Sequence, residues 1–129
     1  MPLPDLIERL PALVNGNPAV LRRGRYLSTD MMIEVGTTPF YLSIVQGRIE
    51  SLSRGPLVMR SWSFAIRGRE DAWRQFWARH PAPGFHDIFA LAKFGEFHIE
   101  GDIRPLMTNL LYFKALLEAP RALADDVPR

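Results

Sequence analysis

The hydrophobic period of this chain switches from two to about 3.6 at Gly68, and that switch constrains its fold more than any other feature. From Tyr26, Leu27, Thr29, Met31, Ile33 and Val35 share one side while Ser28, Asp30, Met32 and Glu34 share the other, the alternation of a half-buried strand. Gly36 to Pro39 read as a turn, Phe40 to Val45 as a second strand, and Gln46-Gly47 as a tight reversal into a third strand through Ile49 and Leu52. After the breaker Arg54-Gly55-Pro56, Leu57 to Arg67 reads as a fourth strand of the same meander, with Val58, Trp62, Phe64 and Ile66 facing inward and Arg60 interrupting that side.

Beyond Gly68 the stripe Ala72, Trp73, Phe76, Trp77 opposes Arg69, Glu70, Arg74, Gln75 and Arg79, which predicts an amphipathic helix stopped by Pro81 and Pro83. His86 to Lys93 predicts a short helix, and Glu96 to Glu100 a fifth strand with Phe97 and Ile99 inward. Gly101 and Asp102 cap a final helix whose apolar face runs from Ile103 through Leu106, Met107, Leu110, Leu111 and Phe113 to Leu117, with Pro120 as its stop and a polar, frayed tail beyond. Ahead of the strands, Leu6, Ile7, Leu10, Leu13 and Val14 predict one amphipathic helix weakened at Pro11. Asn17 and Pro18 start a second that ends at Gly24. Strands and helices segregated in this way predict an α+β fold with the helices on one face.

At 129 residues the chain has room for one core. Its sections are a helical N-terminal part (1–25), a main domain (26–120) and the tail (121–129). With 47% hydrophobic and 23% charged residues it matches ordinary globular usage. A net charge of +2 is too small to indicate nucleic acid, and no nucleic-acid partner is expected. Lys93 and Lys114 are the two lysines, so arginine carries the positive charge, most densely at Arg22, Arg23 and Arg25. Two readings fit that trio: cations at a helix C-terminus favoured by its dipole, or contact with a phosphate or an anionic membrane surface, at most transient. Without cysteine there is neither a disulfide nor a thiolate site. Met1 to Asp5 carry no cationic segment leading into an apolar run, and no stretch approaches the roughly 18 apolar residues of a membrane span. The expected location is cytoplasmic.

Motifs for nucleophilic, phosphate, dinucleotide and metal chemistry are missing from the sequence. His86 beside Asp87, and His98 with Glu100 on one side of the fifth strand, are the acid/base candidates, and neither has a third partner at a telling spacing. No catalytic residue, metal ligand or cofactor is expected. The distinctive material is apolar: Trp62, Phe64, Trp73, Phe76, Trp77, Phe85, Phe89, Phe94 and Phe97 crowd one stretch, and Met107 and Phe113 follow. A plain core accounts for such residues. The bulk of the 69–80 stripe and the width of the final helix's face favour an additional cavity for a ligand.

The segment Lys93-Phe94-Gly95-Glu96-Phe97-His98-Ile99-Glu100-Gly101-Asp102, together with the order of elements from Tyr26 to Leu117, resembles the sterol carrier protein 2 (SCP2) family. The resemblance implies a five-stranded, mostly antiparallel sheet covered by helices, with an apolar tunnel for fatty acyl chains, sterols or similar lipids and no chemistry of its own. Matching positions for the tunnel lining are Trp62, Phe64, Phe76, Trp77, Phe89, Phe94, Met107, Leu110 and Leu111, and the flexible thioether of Met107 suits a variable ligand. Arg60 is the candidate for an acidic headgroup, against an edge arginine whose head reaches water. Three functions remain to be separated: carriage of a long apolar ligand; an accessory module with a filled core, paired with itself as a homodimer or with an enzyme; and a small hydrolase or isomerase using His86 or His98.

Overall fold

The computed structural model describes residues 2–57 and 60–123. Three short helices open the chain: α1 (Leu3–Glu8), α2 (Leu10–Asn15) and α3 (Pro18–Arg23). The single helix expected across Pro11 is two, because Pro11 has no N–H to donate into the preceding turn and instead sits in the first turn of a new helix. Asn17 caps α3 as its residue type predicts, its side chain accepting from the N–H of Ala19 at 3.1 Å.

The strands are β1 (Ser28–Val35), β2 (Thr38–Val45), β3 (Arg48–Arg54), β4 (Phe64–Gly68) and β5 (Phe97–Gly101), in the order β3-β2-β1-β4-β5. Three pairings are antiparallel, and β4 lies parallel to β1 with Met31 opposite Phe64 and Ile33 opposite Ile66. The expected four-strand meander is thus a three-strand meander followed by a crossover. Burial explains it. Phe64, Ala65 and Ile66 are buried on both faces and suit an interior position. β3 carries Glu50, Ser51, Ser53 and Arg54, which belong at an edge. The fourth strand also starts later than Leu57. Residues 60–63 precede it as irregular chain, and Val58 lies outside the described residues.

The helix layer comprises the N-terminal helices together with α4 (Glu70–Phe76), α5 (Ile88–Lys93), α6 (Arg104–Thr108), α7 (Leu110–Glu118) and a terminal 3₁₀ turn (Ala119–Leu123). It packs on the face presenting Met31, Ile33, Leu42, Phe64, Ile66 and Phe97. Trp73 is the centre of this layer, with ring centroids 4.4 Å from Phe97 and 4.7 Å from Trp77, and its indole N–H donates to the carbonyl of Glu34 at 2.9 Å. Gly68 is required beside it, since a Cβ there would stand 2.2 Å from Cδ1 of Phe97.

The final helix, expected to be continuous, breaks at Asn109 between α6 and α7. The Asn109 side chain donates to the carbonyl of Pro105 at 3.0 Å, the competition for backbone acceptors that makes Asn a poor interior residue. Pro120 does not end the ordered chain either. Arg121, expected in a frayed tail, donates from Nε to Phe76 O at 2.8 Å and from Nη2 to His86 O at 2.9 Å and Phe85 O at 3.2 Å. Of that tail, residues 124–129 lie outside the described residues.

Candidate functional site

The alternation of each strand creates two faces, and the residues singled out from sequence divide between them. Phe64, Phe76 and Trp77 are fully buried between sheet and helices. Phe64 meets Phe113 edge to face at 5.2 Å, Phe76 meets Phe97 at 5.8 Å, and the Trp77 indole donates to Leu117 O at 2.8 Å. Rings in these arrangements occupy the space between sheet and helices. Phe89 is half-buried at the margin of that core, under the ammonium of Lys114. Phe94 is 71% exposed at the end of α5 and faces solvent.

Met107, Leu110 and Leu111 come together at the α6–α7 break. With Arg23, Thr108, Asn109 and Tyr112 they line a solvent-open depression of about 300 Å³. Met107 is 51% exposed and Leu111 66%, while Leu110 is half-buried. Three apolar side chains in an open groove forgo the burial that stabilises the rest of the layer, at about 25 cal/mol per Å². The depression backs onto Tyr112, whose hydroxyl donates to Gly47 O at 2.6 Å in the turn between β2 and β3. Burial holds that phenol well above the usual tyrosine range, so it stays a neutral donor.

Trp62 and Arg60 lie elsewhere. Trp62 packs with Met32, Tyr41 and Ala65 on the sheet face opposite the helices. Its alternation with Phe64 is lost because the strand begins only at Phe64, after irregular chain. Arg60 stands 5.6 Å from the Tyr41 ring centroid, and Arg67 stands 5.8 Å from that of Trp62. These contacts fasten the crossover to the sheet. Arg60 therefore does not share a site with Met107, Leu110 and Leu111.

The same outer face carries His98 and Glu100. Arg67 binds Glu34 Oε2 at 2.9 Å and Glu100 Oε1 at 2.8 Å, and His98 Nε2 lies 3.1 Å from Glu100 Oε2. The hydrogen bond from Arg67 holds the Glu100 carboxyl below the usual range, which makes it an ion-pair partner rather than a proton acceptor near neutrality. No group of three metal-ligating side chains occurs among the described residues. His86 contributes its carbonyl to Arg121.

Arg23, whose sequence context fits either a helix-end cation or a contact with a phosphate or an anionic membrane surface, also lines the groove. The available signal was the trio Arg22, Arg23, Arg25 with no acidic residue between Glu8 and Asp30 to neutralise it.

No family model and no curated relative matches the chain. Solved structures do. A crystal structure of sterol carrier protein 2 superposes with a TM-score of 0.71 at 12% identity, covering 91% of this chain and 94% of that one. Palmitated SCP2L2 from Aedes aegypti gives 0.57 at 16% identity, covering 88% and 93%. An SCP2 ubiquinone synthesis protein, UbiJ, gives 0.58 at 17% identity, covering 88% and 90%. At these identities the likeness is one of fold.

Proposed function

We propose, for a chain that has the SCP2-like fold, that it binds a long apolar ligand without transforming it, taking the ligand in through the groove at the α6–α7 break. The observation that carries this reading is the open apolar depression of Met107, Leu110 and Leu111 against the helix layer. Each methylene moved from water into such a groove contributes about 0.8 kcal/mol, so an acyl chain offers ample driving force once a few methylenes are sheltered. The core beyond the groove is occupied by rings, and a chain entering deeper displaces α6, whose link to α7 is a single non-helical residue, Asn109. Phe64, Phe76, Trp77 and Phe89 would then line the inner end. Trp62 and Arg60 fasten the crossover, and Phe94 stays outside.

A second reading has a specific observation in its favour. Trp73, Phe76, Trp77, Phe64 and Phe113 are all buried in the interior, which supports an accessory module with a filled core that pairs with itself or with an enzyme and carries no ligand.

Native mass spectrometry of freshly purified protein, followed by organic extraction, separates the two. A near-stoichiometric apolar molecule is expected. A bare mass that stays unchanged after incubation with fatty acids and sterols would assign the filled-core accessory role instead.

A further inference from the structure

Among the described residues, carboxylates neutralise Arg54 (by Glu8), Arg67 (by Glu34 and Glu100), Arg69 (by Glu96), Arg104 (by Asp102) and Arg121 (by Glu118). At the end of α3 the pattern is different. Arg22, Arg23 and Arg25 are exposed and meet no carboxylate among the described residues. Arg25 and Arg23 meet apolar or neutral groups instead. Arg25 donates to the Arg22 carbonyl at 2.6 Å and lies 4.7 Å from the ring centroid of Tyr26, a side chain 88% exposed. Arg23 joins Met107 and Leu111 in lining the groove.

Unpaired cations beside solvent-exposed apolar and aromatic side chains form a surface with two complementary demands, anionic charge and an apolar layer just beneath it. The cytoplasmic leaflet of a bilayer supplies both, and aromatic rings such as Tyr26 settle at the headgroup level. We propose that the α3 end and the α6–α7 break together dock this protein on an anionic bilayer surface, with the groove mouth turned toward the lipid. The proposal rests on the carriage reading for its purpose, since it sets the ligand's entrance against the ligand's source. A second copy of the chain fits less well. A two-fold contact through this patch would set Arg22, Arg23 and Arg25 against their own counterparts.

The test is flotation with vesicles of phosphatidylcholine containing about a third phosphatidylglycerol, against vesicles of phosphatidylcholine alone. The protein is expected to float with the anionic vesicles, to stay behind with the neutral ones, and to be released by about 0.5 M salt. Replacing Arg22→Gln and Arg25→Gln together lowers partitioning about thirtyfold, roughly fivefold for each cation near the surface. Arg22→Lys with Arg25→Lys keeps it, and Tyr26→Ser lowers it several-fold. Thermal unfolding of each variant checks that the exposed changes leave the fold intact. Equal partitioning of the wild type and the double glutamine variant, or no flotation with anionic vesicles, overturns the docking surface. So does concentration-dependent dimerisation that the double glutamine variant abolishes while vesicle binding is absent. Extraction without vesicles is scored separately. Ligand that co-purifies with a protein that ignores vesicles leaves carriage standing and removes the docking, and a vesicle-binding protein with no extractable ligand does the reverse.

Discussion

Both ends of the Asn15 side-chain amide are bonded to the backbone of Ile49, Nδ2 donating to its carbonyl at 3.0 Å and Oδ1 accepting from its N–H at 2.9 Å. Asn15 thereby acts as a one-residue strand laid along the open edge of β3, where an unpaired ladder would invite another chain. Asn15→Ala is expected to cost about 2 kcal/mol for the two bonds. In urea titrations the midpoint falls with an unchanged slope. Light scattering at raised concentration should show the variant associating where the wild type does not.

Gly68→Ala tests the approach of β4 to Trp73 and Phe97. Its methyl would stand 2.2 Å from Phe97 Cδ1 and 3.0 Å from Trp73 Nε1, both fixed in the packed core. A loss of about 1–3 kcal/mol is expected, with a change in near-ultraviolet dichroism as the indole is displaced. An unperturbed spectrum at full stability would contradict this packing.

Tyr112 makes stability depend on pH at the alkaline end. Its phenol titrates higher in the folded protein than the ordinary value of 10.0, so its contribution is complete below pH 10. It is lost as pH rises from there toward the folded value, because the unfolded chain releases the proton first. Above pH 10 the stability difference between wild type and Tyr112→Phe should shrink by about 1.4 kcal/mol per pH unit. Below that, the variant is less stable by about 1–3 kcal/mol, because Gly47 O loses its buried donor. Denaturant titrations at several pH values from neutral upward read both effects.

Leu110→Lys places a charge in the groove while leaving the core rings untouched. Near-complete loss of extractable ligand is expected, with far-ultraviolet dichroism preserved. Arg60→Ala is expected to leave affinity for a fatty acid unchanged, because Arg60 stands on Tyr41 across the sheet. A large loss of fatty-acid affinity in Arg60→Ala would return the headgroup to the outer face.

The strands were legible because alternation is a local property: Met31, Ile33 and Val35 point to the helices as their spacing predicts, and Phe97 and Ile99 do the same. What the spacing does not contain is which strand neighbours which. Leu57 to Arg67 reads as the next strand of a meander, and only the two-sided burial of Phe64, Ala65 and Ile66 against the polar β3 sends it across to β1. The helix breaks at Arg9 and Asn109 were hidden in runs of correct apolar periodicity. One proline and one competing amide decide them. The residues of the groove were named in advance, Met107, Leu110 and Leu111, because a wide apolar face on one helix is visible in a linear sequence. Arg23 was not, since its place there comes from α3 folding back beside α7.

Arg121 reaches back across the helix layer to hold the carbonyls of Phe76, Phe85 and His86, with its guanidinium 4.6 Å from the Phe76 ring centroid. During synthesis, therefore, the stretch joining α4 to α5 leaves the ribosome well before the residue that clamps it, and α4 has to wait for the 3₁₀ turn to be made. A chain ending at Pro120 would hold all five strands in its sequence and still lack the guanidinium that clamps that stretch.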